Sequence, residues 1–448
     1  MPEAFKFPLF ETNSSRTYRL AIVAGFVLVA ALVLLNTLSP LRLNNDAGRY
    51  LGIVEYFKGG LDKNSDAAHD YLPHGYPCFL YILEKVHMLS PFTITLFNIL
   101  SVVTAAFLLA REFHVENKLF YLTLVLLSYI NIKEYALPVS DQLFTALFMF
   151  AVLMWSRLFK GKLPYIVPAL LLTAMSIYVR TAGVAIVVGV IAYWIFLNRT
   201  RLKRNRMVQV LMFLVISAFI LVFILDLSFF EKNVDYVRQL NLGHLANPVN
   251  LAGRLCIHLK ELGEIVINIP VSKLSGLIDR GHLQIASPVL IVFGIVSLWM
   301  YINAIKKLKL VSSFAFWAFT AYLLMIFAWP FYDTRFLIPI VPLLTYLYLY
   351  YLFGVLKFRY VRVGVLVVYA GFGFISLIYS DALSLSKPFF LKHYGADASI
   401  TNMYRDHFGR ERNGPSGNVY DIHKDYLPFL LQEYDRKPFY YFDGNKQH

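Results

Sequence analysis

Asp46 is a lone carboxylate just past the first long apolar run, in Leu43-Asn44-Asn45-Asp46-Ala47-Gly48-Arg49-Tyr50. Downstream comes Tyr71-Leu72-Pro73-His74-Gly75-Tyr76-Pro77, which leads back into apolar sequence. Further ionisable groups gather between later apolar runs: Lys133 and Glu134, Asp141, Arg180, and Asp333 with Arg335. A carboxylate within reach of a hydroxyl accepts its proton as the oxygen attacks. Arginine and lysine stabilise charge on a departing phosphate, arginine often bidentately. One base and one or two cations suffice for a transfer in which a phosphate is the leaving group. Such chemistry requires no Gly-rich nucleotide loop, and none is evident.

The elements that would position these groups are apolar helices. The 448 residues are 58% hydrophobic, 16% aromatic and 16% charged, whereas a soluble domain carries about a quarter charged residues. Runs of about 20 apolar residues cross a bilayer as helices. Eleven spans are expected, at 20–39, 91–110, 119–132, 138–156, 164–179, 182–197, 207–229, 287–305, 311–330, 336–356 and 361–379. The first starts too late, is too long and lacks the cleavage site of a signal peptide. Three of them (119–132, 164–179 and 182–197) are short for a full crossing, so the helices are expected to end around a water-filled cavity or in thinned bilayer.

The net charge of +14 follows from topology rather than from nucleic acid. Basic residues fill alternate connections, at Arg111/Lys118, Arg157/Lys160/Lys162, Arg199 to Arg206, Lys306/Lys307/Lys309 and Lys357/Arg359/Arg362. The opposite short loops hold Lys133, Arg180 and Arg335. The positive-inside rule then predicts a cytoplasmic N-terminus and an extracytoplasmic C-terminus. The sequons at Asn13 and Asn198 fall on the cytoplasmic side and should be silent. Cys78 and Cys256 make no disulfide framework, with room for one bridge at most.

The reading is an all-α polytopic membrane protein: a transmembrane domain over 1–380 and a small extracytoplasmic tail, 381–448. The first outer segment, 40–90, should hold two interfacial helices, 47–58 and 73–89. A second outer segment, 230–286, carries His244, His258 and His282 without metal-ligand spacing. No span places a charge near its middle; Asp226 comes closest. Pumps and ion-coupled transporters place such groups at membrane depth, so this pattern argues against them.

The order of motifs resembles the GT-C superfamily of membrane glycosyltransferases, most of all the bacterial relatives of protein O-mannosyltransferases and lipid A aminoarabinose transferases. The matching residues are Asp46 after the first helix and Pro73-His74-Gly75-Tyr76-Pro77, like the family's Pro-Pro-x-Tyr-Pro. Val139-Ser140-Asp141-Gln142-Leu143-Phe144, Arg180-Thr181-Ala182-Gly183 and Tyr332-Asp333-Thr334-Arg335-Phe336-Leu337-Ile338-Pro339 follow, before a span containing Pro342. These cover most of 20–345. The chain departs from the pattern in having one acid after Asn45 rather than a pair, and His74 in place of the second proline. The resemblance implies that Asp46 is the base, that the donor is a polyprenyl-phosphate sugar and that the active site faces outward. Donor-phosphate contacts would come from Arg180 and Arg335, with Arg49 and Lys133 as weaker candidates. Candidate substrate contacts are His74, Tyr76, Glu134, Asp141, Tyr332 and Asp333. The acceptor would be a hydroxyl of a lipid, glycan or protein. No metal or cofactor is assigned.

Structural roles compete with each of these. Asp46 suits the cap of a helix from Ala47, and Asp141 the cap of the following span. Arg180 and Arg335 can snorkel to headgroups. Lys133 can pair with Glu134, His74 can pack beneath its loop, and Trp329, Phe331 and Tyr332 can anchor at the interface. Two rival functions remain. An O-antigen-type polymerase or ligase would place its chemistry on Arg254 or His258 in 230–286. A flippase would need a polar path through the membrane. The expected location is a bacterial cytoplasmic membrane.

Overall fold

A computed structural model describes residues 16–39, 41–42, 44–60, 63, 67–204, 248–269, 280–308, 310–386 and 389–390. Among these there is no strand. The helices are α1 (Arg16–Leu35), α2 (Asn45–Phe57), α3 (Gly75–Lys85), α4 (Pro91–Glu112), α5 (Lys118–Leu126), α6 (Tyr129–Glu134) and α7 (Asp141–Phe159). They continue with α8 (Ile166–Val179), α9 (Val184–Arg204), α10 (Pro248–Ile267), α11 (Arg280–Lys307), α12 (Phe314–Ala328), α13 (Val341–Gly354) and α14 (Arg359–Leu385).

Seven of the described helices are long and apolar enough to cross a membrane: Arg19–Leu38, Pro91–Glu112, Asp141–Phe159, Thr181–Arg199, Ser287–Lys307, Thr334–Gly354 and Arg359–Leu385. Each coincides with an expected span. Leu163–Val179 and Phe314–Ala328 are apolar but shorter. The expected span 207–229, Asp226, His244 and most of the tail lie outside the described residues.

The span expected at 119–132 is not one helix. The chain breaks at Leu127 and Ser128 between α5 and α6. A break at membrane depth is tolerated where other protein groups satisfy the freed backbone. Asn268, at the end of α10, does this: its Nδ2 donates to the Leu127 and Tyr369 carbonyls at 2.9 Å, and its Oδ1 accepts from the Tyr129 amide at 2.7 Å. The Asn131 side chain closes the turn, its Nδ2 donating to the Val125 carbonyl at 2.9 Å. Apolar composition alone does not reveal such a break.

Helix α4 packs on α7, α7 on α8, α9 on α12 and α10 on α11. Between them, α13 is buried along nearly its whole length. A polar staple holds the segment that leads into α2. Buried Arg42 donates to Ser380 Oγ at 2.7 Å, to the Ser380 carbonyl at 2.8 Å and to Ser384 Oγ at 2.9 Å, all on α14. Asn36 Nδ2 donates to Asp381 Oδ1 at 3.0 Å. Those bonds tie the ends of α1 and α14 together four residues before Asp46. Both expected helices of the first outer segment form, as α2 and α3. Cys78 and Cys256 are free thiols.

Candidate functional site

Helix α2 starts one turn beyond the staple, and its cap is Asn44 rather than Asp46. The Asn44 side chain accepts from the Ala47 amide at 2.8 Å. Asp46 therefore sits in the first turn with its carboxylate free for other partners. Those partners are cations: Arg335 Nη2 is ion-paired to Asp46 Oδ2, and Arg49 Nη1 lies 3.7 Å from Oδ1. Burial raises the carboxyl, but Arg335 first, then Arg49 and Arg180, outweigh it and hold Asp46 below the usual carboxylate range.

Arg335 is presented by the 3-10 turn Thr334–Ile340, which Asp333 caps by accepting from the Arg335 amide at 3.1 Å. The second Asp333 oxygen lies 2.6 Å from Arg335 Nε. The guanidinium is thus held between Asp46 and Asp333. Arg180 ends α8 and pairs with Asp141, the first residue of α7, whose preceding cap position is Ser140. With side chains only 12% and 14% exposed, Arg335 and Arg180 are partly buried ion-pair partners rather than snorkelling residues.

The turn after Arg180 needs glycine. A Cβ on Gly183 would lie 2.6 Å from the Ile177 nitrogen, so the α8–α9 hairpin closes only without one. In the same way a Cβ on Gly75 would meet the Tyr178 carbonyl at 2.5 Å. Gly75 in Pro73-His74-Gly75-Tyr76-Pro77 thus lets the start of α3 abut the end of α8.

These elements enclose a cavity of about 410 Å³ where α8 and α12 end, lined by Asp46, Arg180, Tyr332, Asp333 and Arg335 among the predicted residues. Tyr50, Tyr71, Tyr322, Trp329, Phe331 and Phe336 make its walls largely aromatic. The other predicted residues do not line it. Arg49 holds Asp70 in a bidentate pair at 2.6 and 2.8 Å and stacks 4.1 Å over the Tyr71 ring. Lys133 pairs with buried Glu134 at 3.0 Å. Burial lowers the Lys133 ammonium, but Glu134 and Asp333 outweigh it and hold the group protonated. Tyr76 is buried edge-on to Tyr50, with ring centroids 5.1 Å apart. His74 packs edge-on to Phe57 at 5.5 Å.

A second layer, on α10, was not singled out as part of this site from the sequence. Arg254 Nη1 donates to the Ala328 carbonyl at 2.6 Å. His258 Nε2 lies 2.7 Å from the Trp329 carbonyl and must donate to it, because a carbonyl only accepts. Its Nδ1 lies 2.7 Å from Glu261 Oε2, while Glu261 Oε1 accepts from the Asp333 amide. One proton therefore lies between Nδ1 and Oε2. Glu264 accepts from Tyr332 and Tyr129 hydroxyls. Burial raises both glutamates, against the opposing effects of His258 on Glu261 and of the two tyrosines on Glu264. Positions 254, 258, 261, 264 and 268 form one helical stripe, all buried. That stripe grips the backbone of 328–333, which carries Asp333 and leads into Arg335. The spacing was readable, but a polar stripe on an amphipathic helix usually faces water.

Among the described residues, no three His, Cys, Asp or Glu side chains group as metal ligands would. Comparison of the chain with protein-family models, curated proteins and solved structures finds no match.

Proposed function

We propose that this multi-pass membrane protein is a glycosyltransferase of GT-C type that moves a sugar from a polyprenyl phosphate to a hydroxyl acceptor. One observation carries the reading: a carboxylate, Asp46, and two guanidiniums, Arg180 and Arg335, open onto one aromatic cavity at one end of the helices. Its volume is that of a small-ligand site.

The acceptor oxygen forms a bond to the anomeric carbon as the bond from that carbon to the phosphate oxygen breaks. The acceptor proton passes to Asp46. The bonding electrons leave with the lipid phosphate, whose charge Arg335 and Arg180 stabilise. The aromatic walls suit sugar faces and a prenyl chain. With the N-terminus cytoplasmic, the cavity faces outward, and a bacterial cytoplasmic membrane fits the charge pattern. In the polymerase or ligase reading the chemistry would fall on Arg254 or His258. Here both donate to backbone carbonyls beneath the cavity, which favours a supporting role for them.

The test is transfer of radiolabelled sugar from polyprenyl phosphates to a crude acceptor extract by the full chain in lipid. Transfer by the wild type that collapses in Asp46→Asn supports the reading. Activity that survives Asp46→Asn and is lost in Arg254→Gln or His258→Gln transfers it to the polymerase class.

A further inference from the structure

The far end of α7 carries a second polar site. Asp141 and Arg157 are sixteen residues apart on that helix, about 24 Å at about 1.5 Å per residue. This approaches the thickness of a hydrocarbon core, so the two sites belong to opposite membrane faces. There the ends of α4 and α7 and the start of α5 frame a cavity of about 820 Å³. Of its lining residues all but Val115 are ionisable. Five are cations: Arg111, Lys118, Arg157, Lys160 and Lys162.

Two demands on those cations can be subtracted. The carboxylates in the lining are Glu112 and Glu116, and Lys160 Nζ takes Glu112 at 3.0 Å, bridging the ends of α4 and α7. The C-termini of α4 and α7 each bring about half a negative charge. Five cations against two carboxylates and two helix ends leave about two positive charges in a concave site. Capping and ion pairing therefore do not use up the cations. A positive-inside bias explains why cations lie on this face, but it does not require them to converge on one hollow.

We infer that this basic cavity binds a phosphate-bearing anion, with a charge matched to the headgroup of an anionic phospholipid in the leaflet opposite the Asp46 cavity. Arg157 and Arg111 suit bidentate contacts to phosphate oxygens, and Lys118 and Lys162 add point charges. The site is separate from the proposed transfer chemistry and does not depend on it.

The full chain is placed in nanodiscs of phosphatidylcholine with or without phosphatidylglycerol. Lipid retained after release is read by native mass spectrometry. A second arm reads thermal stabilisation by inorganic phosphate in phosphatidylcholine alone. Arg157→Gln/Lys162→Gln is the variant in both arms; the remaining basic loops, among them Lys306, Lys307, Lys357 and Arg359, still direct insertion. Wild-type protein should retain phosphatidylglycerol selectively, and the variant should bind it about thirtyfold more weakly, the effect of two cations at an anionic surface. Phosphate stabilisation of the wild type that the variant loses also upholds the site and assigns it a small anion. A wild type that responds to neither anion, or a variant that responds like the wild type, overturns it.

Discussion

Removing the Asp46 charge should move donor binding and transfer in opposite directions. Arg335 is the proposed phosphate ligand, yet its guanidinium is already paired with Asp46. A donor phosphate must compete with that carboxylate, and on winning Arg335 it releases Asp46 to act as base. In Asp46→Asn the competition disappears, while Asp333 still holds Arg335 Nε at 2.6 Å, so the guanidinium is not left bare. The Asp46 side chain is 23% exposed, which places the pair nearer surface than interior energetics. Its loss should free about 1 kcal/mol, making donor binding up to about fivefold tighter. Transfer should fall by about 10²–10⁴-fold, the usual contribution of a positioned base. Stability should change by about 1 kcal/mol, since an asparagine oxygen still accepts from Arg335. The assay pairs equilibrium binding of a radiolabelled donor with single-turnover transfer, on the same preparation in lipid. Transfer within about threefold of wild type would show that Asp46 is not the base. Unchanged or weaker donor binding would show that the carboxylate does not mask Arg335.

Three further outcomes are expected. Arg180→Gln leaves Asp141, 1% exposed, without its charge partner and should cost about 3–5 kcal/mol; Arg180→Gln/Asp141→Asn should regain most of that loss in thermal unfolding, and an additive double variant would deny the coupling. Asn268→Ala removes three hydrogen bonds at the α5–α6 break, worth about 3 kcal/mol, and forces alanine to φ 64°, so its unfolding temperature should drop well below wild type. Folding lowers the carboxyl of Asp46, so the stability it adds is present above the unfolded value of about 3.9 and is lost only as pH falls through the lower folded one. Folding raises that of Glu264, so its contribution is fully present below about pH 4.3 and declines as pH rises toward the folded value. Glu264→Gln should therefore flatten the decline in unfolding temperature above about pH 4.3, and an unaltered slope would refute the assignment.

Much of the membrane-spanning framework was legible because bilayer crossing is a local property. An apolar run long enough to span needs no partner to be recognised, and seven of the expected spans are helices of that kind. The expected sidedness rests on an equally local signal, because charges flanking a span act close to it. The polar groups at the cavity could also be named, because acids and arginines stand out against apolar sequence. Their roles could not be separated. Asp46 and Asn44 both suit a helix cap, and only the observed bond from the Ala47 amide to Asn44 leaves Asp46 for Arg335.

Tertiary structure decided what lies far apart in the chain. Asp46 and Arg335 are 289 residues apart, and Arg42 and Ser380 are 338 apart. Spacing along one sequence does not encode such pairings. The break between α5 and α6 depends on Asn268, more than a hundred residues away, supplying bonds that an apolar run cannot supply to itself. The stripe on α10 shows the same limit. Its period was in the sequence, but whether Arg254, His258, Glu261 and Glu264 meet water or the backbone of 328–333 depends on which helix packs against that face. Local chemistry thus determined which segments can cross and which residues bring charge to their ends. Long-range packing determined which of those residues meet, because burial and charge pairing belong to neighbours in space.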